Sequence, residues 1–316
     1  MKAAPEKGLG LTGDQCLGFK ASCFEMATTG RFSVMIIRMR RLARTALALL
    51  AAIVAVALST QGASAQDQSV LTYHGDARRS GNFVIPALTY DKARSLQLDR
   101  AFDARVVGHV YAQPLYWRGS GSNDAMILVA SEDDVVQAFD ANTGKELWRR
   151  SVGRPVARSL LPCGNINPLG ITGTPVIDPA TETIYFDAAV ERESEPRHEI
   201  FGLSLRDGAI PPGWPVDVAD ALATSGRHFD PRTQNQRAAL SLLDGNISVA
   251  FGGHFGDCGD YHGWVVGLPL HDASKIVSFE TRARGGGIWA PGGMAVVGAL
   301  APICNAGLAR GTTLRR

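Results

Sequence analysis

The sequence predicts an all-β fold of repeated four-stranded antiparallel units, and three observations predict it. The first is the stretch from Val135 to Trp148, two short apolar runs around a turn. Val136, Ala138 and Phe139 suit a buried strand. Asp140 can fold its carboxylate onto nearby amides, and Gly144 can take a positive φ without steric penalty. The expected product is a β-hairpin with a bulged, multi-residue turn and Trp148 as an apolar anchor beyond it. The second observation is recurrence: four strand-like runs repeat three times, with third-strand positions Ala138, Gly202 and Gly267 spaced 64 and 65 residues apart. The third is the 35 glycines, which supply the turns such a fold needs. A fixed period with four short strands per unit is the mark of a β-propeller.

Taken in order, residues 1–34 show no periodicity. Met39 to Arg44 is basic, Thr45 to Leu58 is apolar, and Ala63-Ser64-Ala65 closes the stretch with small residues. A charged head, a short apolar core and an A-x-A site form a secretory signal over residues 39–65, with cleavage after Ala65. The apolar core is short for a membrane span; an uncleaved anchor is the alternative. Arg40-Arg41 hints at twin-arginine export, although general secretion fits the core equally well. Such signals sit at the extreme N-terminus, so translation is expected to begin at Met35 or Met39. Residues 1–38 then read as a non-native or disordered extension. The mature chain, from Gln66, carries Cys163, Cys258 and Cys304. Export permits a disulfide. Cys163 and Cys258 both stand in Gly-rich loops, where a bond between them and two unpaired thiols are both open.

The first unit runs through His109–Trp117, Ala125–Ser131, Val135–Phe139 and Lys145–Val152. The second runs through Gly173–Asp178, Thr183–Val190, Glu199–Leu205 and Ile210–Val218. The third runs through Ala238–Leu243, Asn246–Phe251, Trp264–Leu270 and Lys275–Thr281. A polar insertion, Ala219–Gln236, separates the second from the third. The turn motif decays along the chain: Arg206-Asp207-Gly208 keeps the glycine, His271-Asp272-Ala273-Ser274 does not. A stub of a fourth unit is read at Gly287-Ile288-Trp289. Residues 294–316 show no strand–turn–strand rhythm, which reads as an atypical, frameshifted or truncated tail; a genuinely divergent tail is the alternative.

Residues Ala138 to Trp148 match every fixed position of A-x-D-x-x-T-G-x-x-x-W, with Ala138, Asp140, Thr143, Gly144 and Trp148 at the fixed places. This resembles the tryptophan-docking motif of the PQQ-like (pyrroloquinoline-quinone-type) propeller repeat. Leu71–Gly81, Val110–Tyr116, Gly170–Asp178, Asp260–Gly267 and Gly285–Trp289 resemble other stretches of the same exported bacterial propellers. The likeness spans about 69–293, so residues 66–293 are expected to form a partial propeller of about three blades plus a stub. It implies that Trp148 locks one blade to the next. The fold hosts both enzymes and scaffolds, so it does not imply an activity.

A quinoprotein dehydrogenase of that family would need basic side chains and aromatic stacking for a flat tri-anionic quinone. It would also need Ca²⁺ on carboxylate and amide oxygens and a carboxylate base. The alcohol-dehydrogenase branch also carries adjacent cysteines, and no Cys-Cys pair occurs here. No Glu–Asn–Asp calcium set with that branch's spacing is assignable. The densest polar cluster, Gly252–His262, offers His254, Asp257 and His262 as weak metal candidates; its glycines favour a blade-connecting loop. His74 and His109 read as hydrogen-bonded structural histidines. Trp264 and Trp289 could stack a planar ligand, but inter-blade packing is the commoner use. No nucleophile elbow, P-loop or dinucleotide fingerprint is present. The formal net charge of +2 gives no case for nucleic acid.

The expected function is a non-catalytic binding or scaffold platform, secreted or periplasmic, for a protein, glycan or other envelope component. Membrane contact would be through the signal segment alone, before cleavage. A PQQ- and Ca²⁺-dependent dehydrogenase is the first alternative, and a non-functional fragment the second.

Overall fold

A computed structural model describes residues 69–119, 125–297 and 300–303. The signal segment and the 1–38 extension lie outside the described residues, as does Cys304. A short helix, α1 (Tyr90–Arg94), precedes the first sheet; its Thr89 caps the Lys92 amide, and none of its residues is buried. Four antiparallel strands follow, β1 (Leu115–Arg118), β2 (Ala125–Ser131), β3 (Val135–Asp140) and β4 (Glu146–Ser151). The two-residue β5 (Arg154–Pro155) leads to β6 (Val176–Asp178), β7 (Thr183–Arg192), β8 (Glu195–Ser204) and β9 (Val216–Asp217). After helix α2 (Val218–Ala223) and β10 (Gln234–Asn235) come β11 (Ser241–Leu243), β12 (Asn246–Gly253), β13 (Trp264–Pro269) and β14 (Val277–Glu280). The described residues thus hold three blades, β1–β4, β6–β9 and β11–β14, each an up-and-down antiparallel sheet, with β5 and β10 pairing the far ends of β7 and β12.

Strand extents depart from the sequence expectation in informative places. The first strand is only Leu115–Arg118, because Val110–Tyr116 begins as irregular chain crossing to the next blade: the Gln113 amide donates to Thr174 Oγ1 at 2.9 Å. The Ile210–Val218 run yields only β9, since Pro211, Pro212 and Pro215 lack the donors a ladder requires. The insertion 219–236 contains most of α2, capped by Asp217, whose carboxylate accepts from the Asp220 amide at 2.8 Å. Gly287–Trp289 is not a strand; Ile288 makes a single ladder-like bond to the Phe251 carbonyl, 3.1 Å. The tail, read from sequence as lacking strand rhythm, forms an antiparallel hairpin of β15 (Ala295–Val297) and β16 (Leu300–Ile303). Its short apolar runs carry too little alternation to announce a strand.

The two largest parts of the core are seams between blades. Along β7, Ile184, Phe186, Ala188 and Val190 face the first blade, while Tyr185 faces the third. On β8, Phe201 and Leu203 join the first seam and Ile200 the second. A strand covered on both faces is apolar on both sides of its two-residue period, hence the near-continuous hydrophobic runs. Three successive residues of the leading segment tie the inner strands together. Val70 exchanges two backbone bonds with Tyr116, Leu71 accepts from the Ile177 amide at 2.8 Å, and Thr72 Oγ1 donates to the Leu240 carbonyl at 3.4 Å. Arg79 completes the tie. Its guanidinium bonds Thr72 Oγ1, the Leu240 carbonyl (2.8 Å) and Ser241 Oγ (2.8 Å), and burial lowers its pKa to about 10.

Candidate functional site

Strand alternation sorts the connections between two ends of the blades. The 140–145, 205–215 and 270–276 turns lie at one end; the β2–β3 turn, the 156–175 loop, the 219–236 insertion and the 254–263 loop lie at the other.

The first end is structural. Asp140 Oδ1 accepts from the Asn142 amide (3.1 Å), the Thr143 amide (2.8 Å) and Thr143 Oγ1 (2.7 Å), and these bonds, the Thr143 hydroxyl first, hold its pKa below the usual value. Gly144 sits at φ +73°, and the β3–β4 register shifts between Ala138 and Phe139, as a bulged hairpin does. Trp148, opposite Ala138, is half-buried against the first seam; its Nε1 donates to the Leu205 carbonyl of the second blade at 2.8 Å. Gly208, in that blade's turn, lies flat under the indole: a Cβ there would stand 2.7 Å from Trp148 Cε3. Trp214 lines a cavity of about 700 Å³ together with the third turn, 270–274. In the third blade the residue facing Gly267, as Trp148 faces Ala138, is Val277, which is 66% exposed.

The other end carries the chemistry-bearing side chains. Cys163 and Cys258 form a disulfide, Cα atoms 6.0 Å apart, joining the 156–175 loop to the 254–263 loop. His254 is buried beneath it; its Nε2 donates to the Arg232 carbonyl at 3.1 Å. Burial and the His198 charge push His254 down to about 4, against the pull of that carbonyl. Asp257 accepts from the Tyr261 hydroxyl at 2.6 Å. Burial, then that bond and the carboxylate charge, pushes Tyr261 up to about 12. His262 Nδ1 donates to the Thr281 carbonyl at 2.8 Å. His254, Asp257 and His262 are therefore each committed to a different partner, and the structure does not bring them together as a ligand set. Among the described residues no group of three or more His, Cys, Asp or Glu side chains could hold a metal ion.

His74 stacks on Tyr73 with ring centroids 4.0 Å apart; His109 is exposed and lends its backbone carbonyl to the Glu132 amide. Trp264 is buried edge-on against Phe229, ring centroids 5.7 Å apart, and offers no open stacking face. Trp289 is partly exposed, over Gly252.

Sequence reasoning missed a buried acidic group at this end. Glu132 and Asp134, in the β2–β3 turn, and Asp187, on β7, are all buried. Glu132 Oε2 accepts from the Gly170 amide at 2.7 Å; its Oε1, both Asp134 oxygens and Asp187 Oδ1 have no hydrogen-bond partner. Burial raises Glu132 to about 7, partly opposed by the Gly170 amide. Asp134 is raised well above its ordinary value by burial and by the Glu132 and Asp187 charges, with Arg192 opposing. His198 Nδ1 lies 2.7 Å from Asp187 Oδ2, and its Nε2 donates to the Gln234 carbonyl at 3.1 Å. Burial opposes the imidazolium, but the Asp187 charge and hydrogen bond outweigh it, so the ring is raised. The acid triplet Glu132-Asp133-Asp134 was the visible sign. A charged turn ordinarily lies in water, and only the tertiary fold buries this one.

A polar cleft of about 380 Å³ opens at the same end, between the 226–230 segment and the 260–264 and 280 positions of the third blade. Asp230, Asp260, Glu280, Arg227, His262 and Gln234 line it.

No family model matches the chain, and no curated protein matches it. Solved structures do. A quinohemoprotein alcohol dehydrogenase from Comamonas testosteroni superposes with TM-score 0.51 at 14% identity, over 70% of this chain and 28% of that one. The quinohemoprotein alcohol dehydrogenase ADHIIG from Pseudomonas putida HK5 gives 0.47 at 14%, over 72% and 31%. BamB from Moraxella catarrhalis gives 0.21 at 11%, over 56% and 66%. The chain spans 28% of the length of the Comamonas enzyme. At this identity that first likeness shows the fold alone, a β-propeller, and does not carry an activity across.

Proposed function

We propose that the chain is an exported, non-catalytic binding platform, secreted or periplasmic, whose long-loop end meets its ligand or partner. The observation behind this reading is how the reactive side chains at that end are used. His198, His254, His262, Asp257 and Tyr261 each hold a loop or strand in place through a hydrogen bond. The open cleft beside them presents three carboxylates, Asp230, Asp260 and Glu280, against one lining guanidinium, Arg227. A tri-anionic quinone requires the opposite charge balance. The cleft does not suit that cofactor, so no redox step is assigned to its residues. Export rests on the charged, apolar and small-residue pattern of residues 39–65.

Equilibrium dialysis of the purified full-length chain with PQQ and Ca²⁺, followed by dye-reduction assays with alcohols and sugars, tests the reading. The expected result is no retained quinone and no dye reduction. Stoichiometric retention with turnover would overturn it in favour of a quinoprotein dehydrogenase.

A further inference from the structure

We infer that the open face of the third blade is an interface for a second copy of this chain, docked head-to-tail against the arm that precedes the first blade. The inference goes beyond the binding-platform reading and does not depend on it.

Each blade has a forward face, toward the next blade in sequence, and a back. Ala138 and its partner Trp148 lie on the forward face of the first blade, and Trp148 reaches the Leu205 carbonyl of the second. On the second blade Gly202 pairs with Tyr185, which packs into the seam with the third. On the third blade Gly267 pairs with Val277, and Val265 beside it pairs with Phe279. Ile288, Ala290 and Met294 pack over Ala250 on this face but leave its outer part open. Val277 is 66% exposed and Phe279 50%. In both closed seams a forward face is filled by the back of another blade of this same sequence. The third forward face is built alike and fits such a back.

Among the described residues the backs of the second and third blades are already used, and that of the first remains. The chain running into β1 lies along it. The Asp103 amide donates to the Thr143 carbonyl at 3.4 Å, the Val107 amide to Gln137 Oε1 at 2.8 Å, and Gln137 Nε2 to the Arg105 carbonyl at 3.1 Å. Val129 and Phe139, on the same face as Gln137 by strand alternation, are buried. A segment that ended the stack would present polar groups to water. The arm leading into this strip does the reverse. Val84, Ile85, Leu88, Tyr90, Leu96 and Leu98 are all exposed, Leu98 at 85%. Apolar surface on this scale marks association. A blade stack closes at about four to eight blades. Two copies of the three described blades, each docking its forward face on the other's arm, bring six together and leave neither surface open.

The test is size-exclusion chromatography with light scattering on the purified full-length chain over a wide range of concentration. Two variants accompany it, Val277→Lys on the forward face and Leu98→Asp on the arm. Both positions are exposed, so each variant should keep the parent's circular dichroism. The parent is expected to be a dimer. Each variant should weaken the dimer about tenfold or more, because it sets a charge against an apolar surface. An equimolar mixture of the two should regain dimer. One copy then supplies an intact forward face and the other an intact arm, which a head-to-head contact could not do. Recovery in the mixture also shows that both variants are folded. A monomeric parent, a dimer that neither variant loosens, or a mixture that stays monomeric would overturn the inference. Retention of PQQ in the dialysis described above bears on the platform reading alone, so the two fail separately.

Discussion

The indole of Trp148 lies on the α-carbon of Gly208, sixty residues downstream in the next blade, and hydrogen-bonds the Leu205 carbonyl at 2.8 Å. One side chain thus reads both the shape and the polarity of the following turn. Trp148→Phe keeps most of the ring and loses the donor, and should cost about 0.5–1.5 kcal/mol. Trp148→Ala should cost about 2–4 kcal/mol, somewhat below the range for a fully buried aromatic because the residue is half-exposed. Urea midpoints of the two variants, compared with the parent, check this.

Gly208 should be as demanding as its partner. It holds φ +68°, and a methyl there would meet the Trp148 ring at 2.7 Å. Gly208→Ala combines left-handed backbone strain with overpacking, at about 1–3 kcal/mol. In the Trp148→Ala background the packing share of that penalty should vanish, so the double variant should be less destabilised than the sum. Additive effects in a denaturation cycle would contradict the contact.

The seam also shows how much of the fold was legible in the sequence. Asp140, Thr143, Gly144 and Trp148 could be read directly, because turn chemistry and a tryptophan at fixed spacing are local signals. The second blade kept Gly208 but displaced its tryptophan to Trp214 behind two prolines, and the third has Val277 in that place. Pattern survived there and identity did not. The site was less legible. The Glu132–Asp134 turn, Asp187 and Gln234 come from separate stretches of sequence, and their burial results from three blades closing around the 170–174 loop. The 254–263 loop stood out by composition, yet its histidines and Asp257 turned inward to hold backbone and tyrosine rather than converge.

Glu132 predicts a pH signature. Its folded pKa, about 7, lies above the ordinary 4.5, so its contribution is fully present below pH 4.5 and is lost as pH rises toward 7. The loss is about 3 kcal/mol by linkage. His254 works oppositely: depressed to about 4, it favours the fold above pH 6.5 and withdraws that as pH falls toward 4. The two slopes offset one another in the parent. Glu132→Gln, which can still accept from the Gly170 amide, should raise stability at pH 8 and move the stability maximum upward. An unchanged thermal-melt profile from pH 4.5 to 8 would contradict the burial of this carboxyl.

The Cys163–Cys258 bond closes a loop of 95 residues in sequence separation. Cross-links of that span stabilise mainly by restricting the unfolded chain, by about 2–4 kcal/mol. Cys163→Ser with Cys258→Ser should lower the urea midpoint by a corresponding amount. Hydrogen exchange should rise first in the 254–263 loop, where His254 loses its cover.

The central claim is a division of labour: one end of the blades holds the fold and the other binds. Urea midpoints of Trp148→Phe and Asp260→Asn, measured side by side, test it most directly. The account predicts that Trp148→Phe lowers the midpoint, because the indole donor to the Leu205 carbonyl is lost, while Asp260→Asn, 82% exposed at the long-loop end, leaves it unchanged. An unchanged midpoint in Trp148→Phe, or a lowered one in Asp260→Asn, would contradict it.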